Sequence, residues 1–314
     1  MTVRSEHGGR EGKPYNFFGD YLLKKFGCRV LKLPIDARLT CPNRDGTLDT
    51  RGCVFCGEDG SASPTSAGTE DIHLQMRTAR ESFRRAGADT LYIAYFQAFT
   101  NTYAPVDVLK RLYDAALGEP GVTGLMIATR PDCVPDETLD LIAGYAREGF
   151  ELWLELGMQS AHDKSLETLG RRHTNADTVD AVSRAALRGI PVCTHLILGI
   201  PGESWKDIMD TAALVSSLPV RGVKLHHLHV IRGTQLEKAF REGKFSPLGL
   251  EEYVSSACDF LERLRPDIII HRLIGDRPPA TLVAPLWALH KGTVLRAIEE
   301  ELMRRGSFQG MLCS

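Results

Sequence analysis

The sequence predicts an α/β protein built on an open three-quarter (β/α)6 barrel, a partial TIM barrel, with a C-terminal helical extension. Three observations predict it. Apolar strand-like runs alternate with amphipathic helical patterns at intervals of roughly thirty residues, the signature of right-handed βαβ units and a parallel sheet. Six such units can be counted, too few for a closed eight-unit barrel. After His229 the alternation stops and helical patterns dominate. An open doubly wound sheet is the architectural alternative.

The elements follow in order. Residues 1–14, rich in glycine and charge, read as a flexible tail, the barrel spans 15–230, and 231–314 form the extension packed on it. A helical pattern runs from Tyr15 to Phe26 and an extended run from Val30 to Ile35. Further strands are expected at Thr90–Phe96, Gly124–Thr129, Phe150–Leu156, Val192–Leu198 and Gly222–His229. The helices between them are expected at Asp71–Gly87, Val106–Leu117, Glu137–Gly149, Asp177–Gly189 and Trp205–Leu218. Gly87, Gly118, Gly149 and Gly189 stand where a helix C-terminus favours glycine. The extension holds helical patterns at Gln235–Arg241, Leu250–Leu264 and Leu286–Arg305, and an apolar run Ile268–Ile274.

Composition narrows the class. With 314 residues, 43% hydrophobic and 25% charged, the chain has an ordinary globular balance. A net charge of −2 excludes a grossly basic nucleic-acid binder but not a local basic groove. No run approaches the ~18 apolar residues of a membrane span. The opening MTVRSEHGGREGK lacks the apolar core of a signal peptide, so a cytoplasmic location and no membrane partner are expected.

The chemistry concentrates in one loop. Of eight cysteines, Cys41, Cys53 and Cys56 fall within sixteen residues, directly after the first predicted strand. The other five are scattered, most of them expected as small buried hydrophobes. A pair separated by two residues presents both sulfurs to one centre, and the turn-forming Pro42, Asn43 and Gly46 can fold the third back. Three thiolates on a cubane iron–sulfur cluster leave one iron open to a substrate. A structural zinc ribbon would normally show a second C-x-x-C, which is missing here. The motif alone leaves cluster, zinc and unrelated core cysteines open. Its place at the C-terminal end of a barrel strand, where such folds build active sites, favours the cluster.

The stretch LPIDARLTCPNRDGTLDTRGCVFC resembles the cluster loop of the radical S-adenosylmethionine (SAM) superfamily, specifically its YhcC/YtqA-like family. That family has an expanded first spacing in place of the usual three residues. The resemblance continues through YFQAFTNTYAP, ATRPDC, ELGMQSAHDKSLETLGRRHT, HLILGIPGE and RRGSFQG. It implies a 4Fe-4S cluster on Cys41, Cys53 and Cys56, and SAM reductively cleaved to a 5′-deoxyadenosyl radical that abstracts hydrogen from a substrate. It also implies a reductant protein of flavodoxin or ferredoxin type. The family is similar to the elongator-type and methylthiotransferase groups, which makes a tRNA wobble uridine the candidate substrate. The alternatives are a protein or small-molecule substrate, or a non-catalytic iron–sulfur or zinc assembly factor.

Carried over residue by residue, the resemblance implies Phe55 beside the SAM adenine and Gln97 to Thr100 near the methionyl amino group. Here Gln-Ala-Phe-Thr stands where many relatives have Gly-Gly-Glu. Glu155 and Gln159 end the fourth strand, and a Glu in a half-buried strand needs a partner. Gln159 belongs to a G-x-Q-S motif that reaches SAM in related enzymes. Arg171 resembles the partner of the SAM carboxylate, the competing reading being a solvated pair with Arg172. His195 and Gly199 mark the fifth strand and the adenine side. Lys224 and His226 share one face of the sixth strand, His227 and His229 the other. Arg130 and Asp132 follow the third strand without an assigned role, and no residue is assigned to supply or quench hydrogen. For an RNA substrate, Arg44, Arg51, Arg130, Arg172 and Lys224 are the candidate phosphate contacts.

Overall fold

The computed structural model describes residues 13–313, apart from 61, 67–68, 84–86 and 88. In chain order the elements are α1 (Phe18–Phe26), β1 (Val30–Ile35), α2 (Ile72–Ser82), β2 (Leu91–Phe96), α3 (Val106–Leu117), β3 (Val122–Thr129), α4 (Asp136–Arg147) and β4 (Glu151–Gln159). Then come α5 (Asp163–Thr168), α6 (Asn175–Leu187), β5 (Val192–Leu198), α7 (Trp205–Ser217), β6 (Gly222–His227), β7 (Val230–Ile231) and α8 (Gln235–Arg241). The chain closes with α9 (Leu250–Arg263), β8 (Ile269–Arg272), β9 (Leu282–Ala284) and α10 (Lys291–Arg305).

Seven strands form one sheet in the order β1-β2-β3-β4-β5-β6-β8, every neighbouring pair parallel. It curls as an open partial barrel with helices outside. Alternation sorts the side chains of each strand: Leu33, Ala94, Leu125, Leu154 and Leu225 face the helices in the main core. Ile93, Tyr95, Met126, Trp153 and Cys193 face the barrel interior. The helices start where local chemistry says they should. Asp71 accepts hydrogen bonds from the His73 and Leu74 amides, and Thr174 and Ser204 form reciprocal capping boxes with Asp177 and Asp207.

The seventh strand differs from the sequence reading. The run Ile268–Ile274, expected within the extension, supplies β8, which joins the sheet beside β6. A short apolar run buried on both faces carries no period, so its pairing is decided by the sheet edge left open by β6. The extension is therefore helical apart from β8 and the small antiparallel β7–β9 pair.

Helix α1 seals the lower end of the barrel. Phe18 and Leu22 are buried among Met126, Trp153, Cys193 and Ile269, and the Phe18 ring stacks on His271 at 3.9 Å. Gly222 leaves room for the His271 ring beneath Phe18, since an added Cβ would meet that ring at 2.7 Å. Just before α1, Phe17 bridges in parallel to Ile270. The RRGSFQG segment ties both chain ends together. Arg305 pairs with Asp259, Glu262 and Glu301, and the Gln309 amide donates to the Arg265 and Ile268 carbonyls at 2.8 Å. Of the expected tail, only Lys13 and Pro14 fall among the described residues. Lys13 is ion-paired with Glu299, and the Pro14 carbonyl accepts from the backbone N–H of Gln309.

Candidate active site

With α1 filling the bottom, the mouth at the C-terminal ends of the strands opens into a cavity of about 670 Å³, within the ~300–1,000 Å³ of small-molecule sites. Its rim on the β1 side is the cysteine loop. The Cys41 and Pro42 carbonyls accept turn hydrogen bonds from Arg44, Asp45, Leu48 and Asp49, folding residues 41–49 into a tight coil. Asn43, fully buried, donates to the Gly170 carbonyl at 2.9 Å and the Arg171 carbonyl at 3.2 Å, and lies 3.4 Å from the Cys53 sulfur. Val54 donates to the Leu169 carbonyl. The loop is thereby clamped to the β4–α6 connection, a link between segments more than a hundred residues apart.

Cys41, Cys53 and Cys56 are free thiols lining this one cavity. Arg171 Nη1 also approaches the Cys53 sulfur, at 3.5 Å, so Cys53 meets two N–H donors, a setting that suits a thiolate ligand. Tetrahedral zinc, with Zn–S near 2.3 Å, draws its sulfurs to about 4 Å apart. Among the described residues, the His, Cys, Asp and Glu ligand atoms gathered within 4.8 Å of one another are those of Glu155, Cys193 and His271, not the three loop cysteines. A wider set of thiols is what separate irons of a cluster require.

Phe55, Gln97, Thr100, Glu155, Gln159, Arg171 and His195 all line the cavity; Gly199 does not. A Cβ at Gly199 would stand 2.8 Å from Leu248, and φ is +85°, so packing and backbone account for that glycine. Gly157 explains the G-x-Q pattern. Its missing Cβ would lie 2.7 Å from Gln159 Nε2 and 2.8 Å from Arg171 Nη2, so glycine lets the amide and guanidinium converge. Arg171 is buried and donates to the Gly157 carbonyl at 3.0 Å. The solvated pair therefore splits: Arg172 alone is exposed, bound to Asp49. Thr100 Oγ1, Arg171 Nε and Arg130 Nη1 are buried without a hydrogen-bond partner among the described residues. Unsatisfied polar atoms converging on a cavity mark a place for a polar ligand, and an amino-acid carboxylate and ammonium fit these groups.

The cavity floor is a buried charge cluster. The Glu155 carboxylate accepts from Lys224 Nζ at 2.5 Å and His195 Nε2 at 2.8 Å, and Lys224 also donates to the Tyr95 hydroxyl at 3.0 Å. Burial works to raise the Glu155 pKa, but the Lys224 and His195 charges hold it well below the usual carboxylate range. Lys32, its ammonium over the Phe18 and Tyr95 rings, is pushed down to about 7 by burial and by Lys224. Because Lys224 already occupies Glu155 and Lys32 stands near, the Glu155–Cys193–His271 group faces a positive field hostile to a divalent cation.

Several expectations for RNA contacts are corrected. Lys224 is fully buried in the ion pair, since alternation turns it into the barrel interior. Arg130 is buried and forms a two-point pair with Asp132. Arg44 folds inward onto the Cys56 and Gly57 carbonyls. Arg51 and Arg172 stay exposed, both against Asp49. The sequence reading missed Asn43 as more than a turn residue, and also Lys32, Tyr95 and Arg272. The available signal was a charged residue interrupting an apolar strand, as in Val30-Leu-Lys32-Leu and Ile270-His-Arg272-Leu.

The fold is an open parallel barrel with three free thiols at the mouth of its first strand. The profile of the Radical SAM superfamily matches residues 50–215, and that of the Radical_SAM C-terminal domain matches residues 220–304. The YtqA protein of Bacillus subtilis (strain 168) is 40% identical over 298 residues, covering 95% of this chain and 92% of its own. The chain belongs to the radical SAM superfamily, in its YhcC/YtqA-like family, and is a radical SAM enzyme. A tRNA uridine(34) acetyltransferase of Methanocaldococcus infernus is 28% identical over 168 residues, 51% of this chain and 29% of that protein. Among solved structures, the archaeal Methanocaldococcus infernus Elp3 with an N-terminal deletion matches with a TM-score of 0.64 at 18% identity. That match covers 89% of this chain and 64% of Elp3, just under two thirds of the longer protein. No helix of the described residues is long and apolar enough to cross a membrane.

Proposed function

We propose that Cys41, Cys53 and Cys56 hold a 4Fe-4S cluster, that SAM lies along the β1–β5 side of the cavity, and that the reaction modifies a tRNA wobble uridine. The observation that carries the reading is one cavity lined at once by the three free thiols and by the orphaned polar atoms of Thr100 and Arg171. When bound, the cluster and SAM would supply the reductive cleavage that yields a hydrogen-abstracting 5′-deoxyadenosyl radical, with electrons from a flavodoxin- or ferredoxin-type protein. The chain's own residues do the positioning. Arg171, fixed by the Gly157 carbonyl, suits the methionyl carboxylate, while Gln97, Thr100 and Gln159 suit its polar end. Phe55 offers an aromatic face to the adenine. Glu155 and His195 hold a charged floor that keeps the Lys224 ammonium away from the reacting end. The partial relative named as a tRNA uridine(34) acetyltransferase, and the exposed Arg51 and Arg172, next in sequence to the cavity-lining Gly52 and Arg171, support the tRNA substrate.

The test is anaerobic reconstitution. The protein is expected to bind about four irons per chain and to release 5′-deoxyadenosine and methionine from SAM when reduced. Cys53→Ala should lose the cluster, whereas Cys258→Ala, at a buried core thiol, should keep it. Full iron content in Cys53→Ala would sink the ligand assignment. For the substrate, nucleoside mass spectrometry of tRNA from a deletion strain should show a changed wobble uridine, and an unchanged nucleoside profile would remove tRNA from the proposal.

A further inference from the structure

The β6–β8 side of the cavity carries hydrogen-bonding capacity that no described residue uses. Arg272, the last residue of β8, is half-buried and lines the cavity, and its guanidinium makes no hydrogen bond or ion pair with any described residue. The other cations of the wall are engaged: Arg171 on the Gly157 carbonyl, Arg130 on Asp132, Arg44 on loop carbonyls, and Arg277 facing Asp59 at 3.7 Å, while Lys224 beneath the wall is held by Glu155. The two carboxylates of the wall are paired as well. Glu155 holds Lys224, and Asp276 accepts from Lys291 at 3.0 Å. One guanidinium is left over.

Two imidazoles flank it. His226 and His229 line the same wall, and the Nε2 atom of each is buried without a hydrogen-bond partner among the described residues. The turn after β8 seats both rings, for a Cβ at Gly275 would lie 2.2 Å from His229 Cε1 and 3.1 Å from His226 Nδ1. Burial first, and the Arg272 charge second for His226, hold both rings well below the ordinary histidine range, so they stand neutral. A neutral imidazole can present one N–H without adding charge. A free guanidinium beside two such rings is completed by an oxyanion; a cation would be repelled and a neutral group would leave the charge uncompensated.

We propose that Arg272, flanked by His226 and His229, is a recognition site for an oxyanion carried by the reacting part of the substrate, a carboxylate or a phosphate. The inference rests on the radical SAM reading of the cavity. Arg272 ends the strand at the opposite edge of the sheet from the cysteine loop, beyond the β1–β5 side assigned to SAM. The anion therefore belongs to the second ligand, and Arg272 acts as a specificity-determining residue for it.

The experiment uses cluster-reconstituted protein saturated with SAM, titrated separately with sodium acetate and inorganic phosphate at constant ionic strength, with thermal stability as the readout. Wild type is expected to show a saturable rise in Tm with at least one of the two anions, with chloride giving none. Response to acetate alone identifies a carboxylate, and response to phosphate alone a phosphate. Arg272→Gln should shift the midpoint upward roughly tenfold or more, as loss of a charged hydrogen bond predicts, and Arg272→Lys should recover part of it. Arg147→Gln, an exposed residue on α4, should match wild type. An undiminished response in Arg272→Gln, or no response to either anion in wild type, overturns the proposal. So does loss of SAM binding in both Arg272 variants, which would assign the residue to SAM instead. Failure of the wild type to bind SAM at all would count against the radical SAM site itself, before any anion is added.

Discussion

Glu155 holds together the floor of the cavity. It is fully buried, and its carboxylate neutralises Lys224 and orients His195, residues brought in from β6 and β5. Removing one partner of such a pair leaves a buried charge without compensation, at a cost of about 3–5 kcal/mol. Glu155→Gln is therefore expected to lower the urea midpoint by that equivalent. Glu155→Gln combined with Lys224→Met should recover much of the loss, because both charges are then gone. A double variant no more stable than Glu155→Gln alone would mean that the cost lies in packing rather than in the orphaned ammonium.

At the scale of elements, two glycines show how position decides the sign of one substitution. Gly124 lies on β3 opposite Glu151 of β4, and an added Cβ would sit 2.1 Å from the Glu151 carbonyl oxygen. That atom is backbone in the middle of the sheet, so the β3–β4 register itself must give way. Gly124→Ala should destabilise by about 3 kcal/mol or more, the upper end of overpacking costs. Gly144 lies within α4 with nothing near its would-be Cβ. Gly144→Ala should stabilise by up to about 1 kcal/mol through helix propensity alone. Thermal unfolding of the two variants checks both signs, and equal effects would contradict the packing described for β3 and β4.

Across the whole molecule, an unusual number of histidines are buried and neutral. Burial pushes His227 down to about 4 and His173 down to about 2, and holds His226, His229 and His271 well below the ordinary value. Unfolding returns each to about 6.5, so below that pH the unfolded chain binds more protons than the native one. The sign follows: stability is fully present above about pH 6.5 and falls as pH drops toward the native values. Each such histidine contributes a slope approaching about 1.4 kcal/mol per pH unit once the pH is below its unfolded value. His227→Phe should flatten the pH dependence of unfolding between pH 6.5 and 4.5 by close to one proton. An unchanged slope would show that His227 is protonated in the native state.

The local part of this protein was legible in the sequence because local structure depends on near neighbours. Strand and helix periods placed most of the barrel, capping residues marked the helix starts, and the spacing of Cys41, Cys53 and Cys56 singled out the loop that the fold sets at the cavity mouth. What could not be read joins residues far apart in the chain. The run Ile268–Ile274 has no period to announce its partner, so only the open edge of β6 could make it the seventh strand. Alternation put Lys224 on a face but could not say that the face was the interior, or that Glu155 waited there sixty-nine residues earlier in the chain. Asn43 looked like a turn residue until the β4–α6 connection arrived beside it. Arg272 gained its meaning only when closure of the barrel gave the other guanidinium groups along the wall described partners and left Arg272 with none among the described residues. Periodicity and spacing are properties of a segment, whereas partnership, burial and an unpaired charge arise only when the chain has closed around them.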